Sequence, residues 1–507
     1  MFQFMTADAV VNYLARQNVQ TRMTDEQFIV AEINRFRRSK RFYDMIAGDN
    51  YYSGKHDILH KKRTAIGDDG KLIEIDNLPN NRIVDNQYRK MVIQKSNYLV
   101  GQPFVLQCEN QLYVEALKPY IHTKKFLKML KEVAKDALNG GIGWIYPYYD
   151  EDGEFAFKRF KPYEVLPMWK DAEHTLLDAA IRWYEVVAYE GTQEKVITKV
   201  EVFNADGLYY FELTDGGSLV PEEPFYQPYF TVTDHNGTSQ GFNWDKIPLI
   251  PFKYNAEEVS LITMCKSLQD GLNKIESQWE DQMEEDPRNT IMVLVNYDGQ
   301  NLGEFRRNLA QFGAVKVRTV DGGQGDVKTL QIQVNAENYK AIIEQFKKAI
   351  IENCMGYDAK DDRLGGNANE MNIKSMYSDI ELDTNGMETE FQAAFEELLW
   401  FINCHLANTG VGDFEGEELE IVFNRDIMIS ESSVISDIKN SVGILSDETL
   451  IAQHPWVDDP ESELERIKKQ KEEDMDLYGA GAFGGNDDDD KNKNKDKGSP
   501  EDEPDDE

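Results

Sequence analysis

The feature that most constrains the fold is a helical pattern that begins near residue 371 and continues for about forty residues. Residues suited to a single face recur at intervals of three and four, which is the period of an α-helix. At about 1.5 Å per residue, a continuous helix of this length reaches roughly 60 Å, which is long for a compact domain. We therefore predict a bend near Asn385–Gly386 and contacts with neighbouring copies of the chain. The residues of this face are Ile373, Tyr377, Ile380, Thr384, Met387, Phe391, Phe395, Leu398 and Ile402.

Two further helical patterns bracket a short insert of different character. The first lies within residues 257–287 and ends before Pro287, and the second lies within residues 336–356. Residues 288–335 between them are typical of strand, helix and strand, so the two helices form a stalk that carries a small α/β insert. The apolar face of the first helix is Leu261, Met264, Leu268, Leu272, Ile275, Trp279 and Met283, and that of the second is Tyr339, Ile342, Ile343, Phe346, Ile350 and Ile351.

The first half of the chain indicates a mixed α+β architecture. Residues 1–84 have a helical pattern, including an amphipathic helix that we expect to end at Gly48. Residues 85–256 begin with a helix that stops at Gly101, whose apolar face includes Tyr88. A second helix ends at the Gly pair 140–141, and antiparallel strands rich in aromatic and β-branched residues follow, with a turn at residues 152–153.

The C-terminal part divides into a helical and an unstructured segment. Residues 430–478 contain two short helices, the first capped by Asp447 and the second beginning near Pro460. Residues 479–507 combine glycine, proline and charge runs with almost no apolar content, so we expect an acidic disordered tail.

A short charged loop separates the two strongest helical patterns, in the stretch "MGYDAKDDRLGGNANEMNIKSMYSDIEL". Its Gly365-Gly366-Asn367 sequence is consistent with a phosphate-binding nest, but more often such a sequence is a plain flexible connector. The pair Asp361-Asp362 is consistent with a metal-dependent nuclease, but in a chain with 92 acidic residues such pairs occur by chance.

The formal net charge of −37 excludes a protein that grips DNA over its whole surface, because such binding is driven by basic side chains on phosphates. The simpler interpretation is solubility together with an acidic tail. The alternative is a surface that handles nucleic acid without holding it.

The motifs of common catalytic sites are missing from the sequence. There is no GxxxxGK[ST] loop, no HExxH helix and no GxSxG turn, and neither His56 nor His60 has carboxylates arranged as in a metal site. The four cysteines are scattered, which predicts reduced core thiols, and no apolar run is long enough to span a bilayer. No secretory signal is evident either. We therefore predict no catalytic residues, no metal and no cofactor.

The order of these segments resembles the portal proteins of tailed bacteriophages, of the siphovirus type from Gram-positive hosts. The resemblance covers about residues 30–470 in order. The phrases that carry it are "NYLVGQPF", "NGGIGWIYPYYDEDGEFAFKRFKPYEVLPMW", "IPLIPFKYNAEEVS", "VNYDGQNLGEFRRNLAQFGAVKV", the loop stretch quoted above, "FEELLWFIN" and "FNRDIMISESSVISDIKNSVGILSDETLIAQHPWVDDPESELERI". The long acidic tail departs from the family pattern.

The resemblance implies a mixed α+β portal-type fold, assembled as a ring of roughly twelve copies around a channel. The implied domains are residues 1–84 as the helical part of a wing, 85–256 as its α+β domain, 257–287 and 336–356 as stem helices, 288–335 as a clip, 357–370 as a tunnel loop, 371–429 as a channel-lining helix with a return to the wing, 430–478 as crown helices and 479–507 as the tail.

The implied function is a channel at one capsid vertex through which double-stranded DNA is packaged and later ejected. The implied partners are further copies of the chain, the terminase large subunit, a head-completion adaptor, the major capsid and scaffolding proteins and the passing DNA, with no membrane. The implied location is the virion, and the host cytoplasm during assembly.

Two sets of site residues follow from the resemblance. The residues expected to meet DNA in the tunnel loop and its helix are Lys360, Asp361, Asp362, Arg363, Leu364, Gly365, Gly366, Asn367 and Lys374. The residues expected to contact terminase or adaptor on the clip are Tyr297, Glu304, Phe305, Arg306, Arg307, Phe312 and Lys316.

Two rival classes of protein stay open at this point. One is a packaging or processing enzyme such as a terminase subunit or nuclease, which the missing nucleotide-binding and metal motifs disfavour. The other is an acidic scaffold or interaction protein, which would not form rings with an axial hole.

Overall fold

The structure is a computed structural model, and it divides into two units, Met1–Ile427 and Met428–Glu507, which are described separately. The described residues are 24–66, 70–76, 78–233, 237–285, 291–295, 326–330, 336–358, 370–425, 435, 438–454, 456–457 and 460–479.

The first unit mixes helices with antiparallel strands. Its helices are α1 Asp25–Arg37, α2 Lys40–Tyr52, α3 Gln87–Val100, α4 Gln111–Ile121, α5 Lys124–Gly140, α6 Ile262–Glu285, α7 Ala336–Asn353 and α8 Glu370–Asn408. Its strands are β1 Thr64–Ile66, β2 Leu72–Glu74, β3 Val105–Gln107, β4 Ile142–Tyr149, β5 Phe155–Phe160, β6 Val165–Trp169, β7 Leu177–Glu190, β8 Gln193–Asn204, β9 Gly207–Leu213, β10 Leu219–Gln227, β11 Phe230–Thr233, β12 Ser239–Phe242, β13 Ile250–Lys253, β14 Ile291–Val295, β15 Asp326–Leu330 and β16 Glu420–Val422.

The predicted amphipathic helix near the N-terminus is two helices, and the expectation that it ends at Gly48 is wrong. The chain breaks after α1 because the hydroxyl of Ser39 accepts from the backbone N–H of Phe42 and starts α2. Gly48 lies buried inside α2, where a Cβ would meet the backbone oxygen of Asn139 at 2.0 Å. The small antiparallel hairpin of β1 and β2 also lies in this region, which the pattern presents as helical.

Eight of the strands form a five-stranded sheet in the order β10-β9-β8-β7-β6 and a three-stranded sheet in the order β13-β4-β5, and the others pair in twos. Helix α5 packs on β4 with a face of buried residues, and it ends at the predicted glycine pair. Gly141 there has φ 81°, and a Cβ would meet the backbone oxygen of Glu258 at 2.1 Å. The predicted turn at residues 152–153 is also confirmed, with Gly153 at φ 82°.

Helices α6 and α7 pack along each other, in agreement with the predicted pair, and strands β14 and β15 pair antiparallel between them. The rings of Trp279 and Tyr339 stack at 6.1 Å, and Gly271 leaves room for the ring of Phe346. The predicted apolar faces are buried only in part, because Met264 and Met283 of α6 and Ile342 of α7 are exposed in this single chain. The helix predicted inside residues 288–335 lies outside the described residues.

The long helical pattern is one helix of 39 residues, α8, which is helical without interruption across residues 385–386. The predicted bend there stays a prediction. The side chain of Ile373 is not described, and the other residues of the predicted face are all buried, which confirms the face: Tyr377, Ile380, Thr384, Met387, Phe391, Phe395, Leu398 and Ile402.

The second unit contains α9, Asp447–Ala452, and α10, Pro460–Gly479. The predicted start of α10 near Pro460 is confirmed, but the predicted cap of α9 is wrong by one residue. The hydroxyl of Ser446 accepts from the backbone N–H of Thr449. Asp447 lies in the first turn, where its negative charge interacts favourably with the helix dipole. Residues 480–507, the predicted tail, lie outside the described residues.

The four cysteines are free, as predicted. Cys265 and Cys354 are buried in the core, whereas Cys108 and Cys404 are partly buried. Among the described helices, none has a sufficiently long apolar stretch to cross a membrane.

A ladder of side-chain hydrogen bonds fixes α6 to the extended segment before α3. Four polar residues of α6, each four positions apart, accept from backbone N–H groups, three of them in that segment and the fourth, that of Tyr88, in the first turn of α3. The bonds are Asp281 to Asn81 (2.6 Å), Ser277 to Ile83 (2.9 Å), Asn273 to Asp85 (3.1 Å) and Gln269 to Tyr88 (3.0 Å).

For the three bonds to the extended segment, the spacing of the acceptors on α6 matches the spacing of the N–H groups. Four residues of helix rise about 6 Å, and two residues of extended chain rise about 6.6 Å. The side chains on α6 are buried, so each amide they satisfy would otherwise lack a partner in the interior. The ladder therefore sets where α3 begins relative to α6.

Replacing Asn273 with Ala is expected to lower the free energy of unfolding by about 3 kcal/mol. The amide of Asn273 accepts from the N–H of Asp85 and also bonds Nδ1 of the buried His56 at 2.8 Å, so both groups lose a partner. Urea denaturation followed by circular dichroism measures the change. Lys274→Ala, at the exposed neighbouring position, is the matched control. Equal shifts of the two midpoints would show that the ladder does not stabilise the fold.

Candidate functional site

The residues that the resemblance singles out lie almost entirely outside the described part of the chain. This holds for Lys360, Asp361, Asp362, Arg363, Leu364, Gly365, Gly366 and Asn367 of the loop, and for Tyr297, Glu304, Phe305, Arg306, Arg307, Phe312 and Lys316 of the insert. Lys374 lies in α8, and its side chain is not described. Their roles stay predictions. The two ends of the loop, however, are described, and they define a candidate site.

The first end of the loop is the chain that leaves α7. Helix α7 ends at Asn353, and Met355 has φ 49°, a conformation that turns the chain away from the helix axis. The N–H of Gly356 donates back to the carbonyl of Ile351 at 2.9 Å. A Cβ on Gly356 would meet Sδ of Met91 at 2.6 Å, so a larger residue here would displace the side chain of Met91 on α3.

Two side chains of α3 hold this turn by its backbone carbonyls. Nε2 of Gln94 donates to the carbonyl of Tyr357 at 2.9 Å, and Nζ of Lys95 donates to that of Met355 at 3.2 Å. Lys95 is only 1% exposed, and it forms an ion pair of 2.5 Å with Asp383 of α8. One buried ammonium group therefore ties the end of α7 to the helix on the far side of the loop.

The electrostatics of this buried group follow from its partners. Burial lowers the pKa of Lys95, and the nearby carboxylate of Asp383 opposes that shift by stabilising the charged form. The hydroxyl of Tyr254 donates to both oxygens of Asp383, at 2.9 and 3.0 Å. Burial and the same carboxylate raise the pKa of Tyr254 far above its usual range, so it stays a donor. The carboxylate is thus satisfied from two sides.

The second end of the loop is the start of α8, which packs through aromatic rings. The ring of Tyr377 lies 4.6 Å from that of Tyr357 and 6.0 Å from that of Tyr98 on α3. Together with Met376 and Ile380 these residues form a small apolar cluster separate from the main core. Residues on either side of the undescribed segment 359–369 are therefore in contact with each other.

The chain that returns after α8 reinforces this arrangement. Arg425, which follows β16, forms an ion pair with Glu388 of α8 and approaches Glu381 at 3.8 Å. Its guanidinium also lies over the ring of Tyr98, 6.0 Å from the centroid. Helices α3 and α8 and this segment therefore form one anchored base for the loop.

The sequence patterns missed these anchoring residues, although they contain a signal for one of them. Lys95 falls between Val92 and Leu99 at helical spacing, so it lies on the apolar face of α3. A lysine on such a face needs a buried anionic partner. The partner, Asp383, is 288 residues away along the chain, so the pattern of α3 alone could not identify it.

The described residues offer no alternative centre for metal chemistry. Within that part of the chain, no group of three or more histidine, cysteine or carboxylate side chains is placed to hold a metal ion. His56 is buried, stacks on the ring of Tyr51 and bonds to its carbonyl and to Asn273. This histidine is a structural residue.

Comparison with known proteins identifies the class to which this fold belongs. Residues 37–477 match the family described as "Phage portal protein, SPP1 Gp6-like", and the chain belongs to that family. It therefore has the portal function, that of the DNA channel in the phage capsid, and the enzyme alternative is not favoured. At the level of the family, this is a structural and non-enzymatic role.

Two curated relatives are similar over most of their length. The chain is 30% identical to the portal protein of Bacillus phage SPP1 over 435 residues. This match covers 84% of this chain and 83% of that protein. The chain is 27% identical to the portal protein of Clostridium phage phiCD119 over 436 residues. This match covers 83% of this chain and 91% of the phiCD119 protein.

The solved structures similar to this chain include components of gene transfer agent (GTA) particles. One is the neck of an empty GTA particle computed with C6 symmetry, with a TM-score of 0.41, 11% identity, and coverage of 72% of this chain and 88% of that one. Another is the neck of a native GTA particle computed with C12 symmetry, with a TM-score of 0.37, 12% identity, and coverage of 73% and 89%.

Replacing Asp383 with Asn is expected to release both ends of the loop, because it leaves the buried ammonium of Lys95 without a countercharge. Loss of one partner of such a pair costs about 3 to 5 kcal/mol. Hydrogen–deuterium exchange should become faster in peptides that cover residues 353–358 and 375–380. Glu396→Gln, at an exposed position further along the same helix, is the control. Unchanged exchange in the Asp383 variant would contradict the anchoring role.

Proposed function

We propose that the chain assembles into a closed ring of roughly twelve subunits at one capsid vertex, and that residues 357–370 of each copy project into its channel. The observation that carries this proposal is the anchored base of the loop. Tyr357 and Tyr377 are in contact, and Lys95 and Asp383 join the elements that carry them. A segment held firmly at both ends can move in its middle while keeping its position in a ring.

The composition of the loop suits a channel surface along which DNA must slide. Lys360 and Arg363 offer phosphates brief partners, while Asp361 and Asp362 repel them. A wholly basic ring would hold duplex DNA tightly, because each neutralised phosphate adds to a salt-dependent affinity. Gly365 and its neighbouring glycine permit backbone movement in the same segment. The loop therefore combines weak attraction with repulsion.

The remaining parts of the chain receive the roles that the family implies. We assign residues 1–84 and 85–256 to the wing, the helices within residues 257–287 and 336–356 to the stem, and the helical residues 430–478 to the crown. Antiparallel pairing of β14 with β15 supports a compact insert at residues 288–335. We assign that insert to the clip, where the terminase and later a head-completion adaptor would dock.

The exposed apolar residues of the stem helices support contacts between subunits. Met264, Met283 and Ile342 are at least 40% exposed in the single chain, although each lies on a predicted apolar face. A ring would give these side chains neighbours on adjacent copies. Negative-stain imaging of the purified protein tests the assembly directly, since only a portal predicts rings with an axial hole. Compact monomers under capsid-assembly conditions would contradict it.

Charge reversal at Lys360, Arg363 or Lys374 is expected to change the length of packaged DNA or to lower packaging yield by about twofold or more, because phosphates lose a transient partner. Pulsed-field electrophoresis of DNA from purified heads measures both quantities. Lys195→Glu, on an exposed position of β8, alters the net charge equally and serves as control. Normal packaging in all three loop variants would argue against direct contact with DNA.

A further inference from the structure

Helix α5 carries a row of lysines on its exposed face. We name Lys124, Lys125, Lys128 and Lys131 the lysine ridge; the first three are exposed and the fourth is partly exposed. Lys124, Lys128 and Lys131 of the ridge, together with Lys135, follow intervals of four, three and four along the helix, so these side chains share one face, and Lys125 lies at the edge of that face. This concentration of positive charge stands out in a chain with a formal net charge of −37.

The two acidic residues of the helix do not neutralise the ridge. Glu132 forms ion pairs with Lys135 at 2.8 Å and with Arg159 at 3.2 Å. Asp136 is buried and pairs with Lys161 at 3.1 Å. Among the described residues, none of the four ridge lysines has a carboxylate within ion-pair distance. Their charge is therefore directed to solvent.

The ridge is unfavourable for the helix that carries it. Lysines in a first turn oppose the helix dipole, by about 0.3 to 1 kcal/mol each, and the first turn of α5 contains no acidic residue. Like charges spaced three or four residues apart repel one another by about 0.2 to 0.5 kcal/mol per pair. The stability of the fold does not account for this arrangement, which indicates an external anionic partner.

Helix α5, which carries the lysine ridge, is packed into the main core. The opposite face of α5 is buried, with Phe126, Leu130, Val133 and Ala137 in the main core, where the helix packs against α2, α3 and β4. A helix held in this way presents its lysines at constant spacing. From Lys124 to Lys131 the helix rises about 10 Å, and duplex DNA carries a charge about every 1.7 Å of its axis. The ridge can therefore face several phosphates together.

The composition of the ridge favours DNA over a protein partner. The apolar residues between the lysines, Leu127 and Met129, are partly buried and pack against the core, so they are not available as an apolar contact. Protein interfaces are depleted in lysine and need such an apolar centre, whereas lysines are the usual contacts to phosphates. We propose that the lysine ridge binds the phosphate backbone of duplex DNA, independently of sequence and at a site separate from the tunnel loop.

This inference rests on the proposed function in one respect only, which is that duplex DNA is the polyanion the protein meets. The test uses assembled rings of the full chain and a short fluorescent duplex, without terminase, so a failure of packaging does not affect it. Fluorescence anisotropy is measured from about 50 to about 200 mM salt for wild type and for the triple variant Lys124→Gln, Lys128→Gln, Lys131→Gln. The expected result is roughly tenfold weaker binding at low salt and a salt slope smaller by about 2 to 3.

The matched control is Lys55→Gln, Lys195→Gln, Lys340→Gln, which removes the same charge from exposed positions elsewhere. A second variant with arginine at the three ridge positions is expected to bind DNA at least as well as wild type. The proposal is overturned if wild-type rings do not bind the duplex, or if the control weakens binding equally. It is also overturned if the glutamine variant alone fails to form rings, or if that variant binds the duplex as wild type does but no longer binds an acidic capsid or scaffolding protein in a pull-down.

Discussion

The buried ion pair of Lys95 and Asp383 is the interaction on which the candidate site depends. It lies where helix α3, the end of α7 and the long helix α8 meet, and the same ammonium group also bonds the carbonyl of Met355. In the protein interior each charge needs the other, because a single buried charge is far more costly than a satisfied pair. The pair therefore makes the placement of three elements interdependent. Tyr254 strengthens that dependence by donating to the same carboxylate.

A second polar arrangement places the helix α3 that carries this lysine. The ladder between α6 and the segment that leads into α3 uses side chains from Gln269 to Asp281, each of which accepts from a backbone N–H group. Its register depends on the agreement between the rise of a helix and the rise of extended chain. A shift of one residue would turn the polar stripe away from the amides. Helix α6 and helix α3, which carries the base of the loop, are thereby fixed directly to each other.

The distribution of charge keeps the attraction between the chain and a polyanion weak and local. The chain as a whole repels DNA, with 92 acidic against 55 basic residues. Within it, the loop sequence mixes Lys360 and Arg363 with acidic neighbours, and the lysine ridge lies on the exposed face of a helix whose opposite face is buried. Repulsion over most of the surface with a few local attractions suits a channel protein, because DNA must be guided and yet continue to move.

The sequence by itself determined the long helix α8, the pair α6 and α7, and the helix ends at glycine, since these depend on local periodicity and backbone conformation. It also carried the family resemblance. It could not predict that Gly48 lies inside a helix, because that depends on the close approach of Asn139 from another element. Nor could it join Lys95 to Asp383 or α6 to the segment before α3. Those contacts link residues almost two hundred or more positions apart, and only the tertiary structure decides which distant polar groups meet in the core.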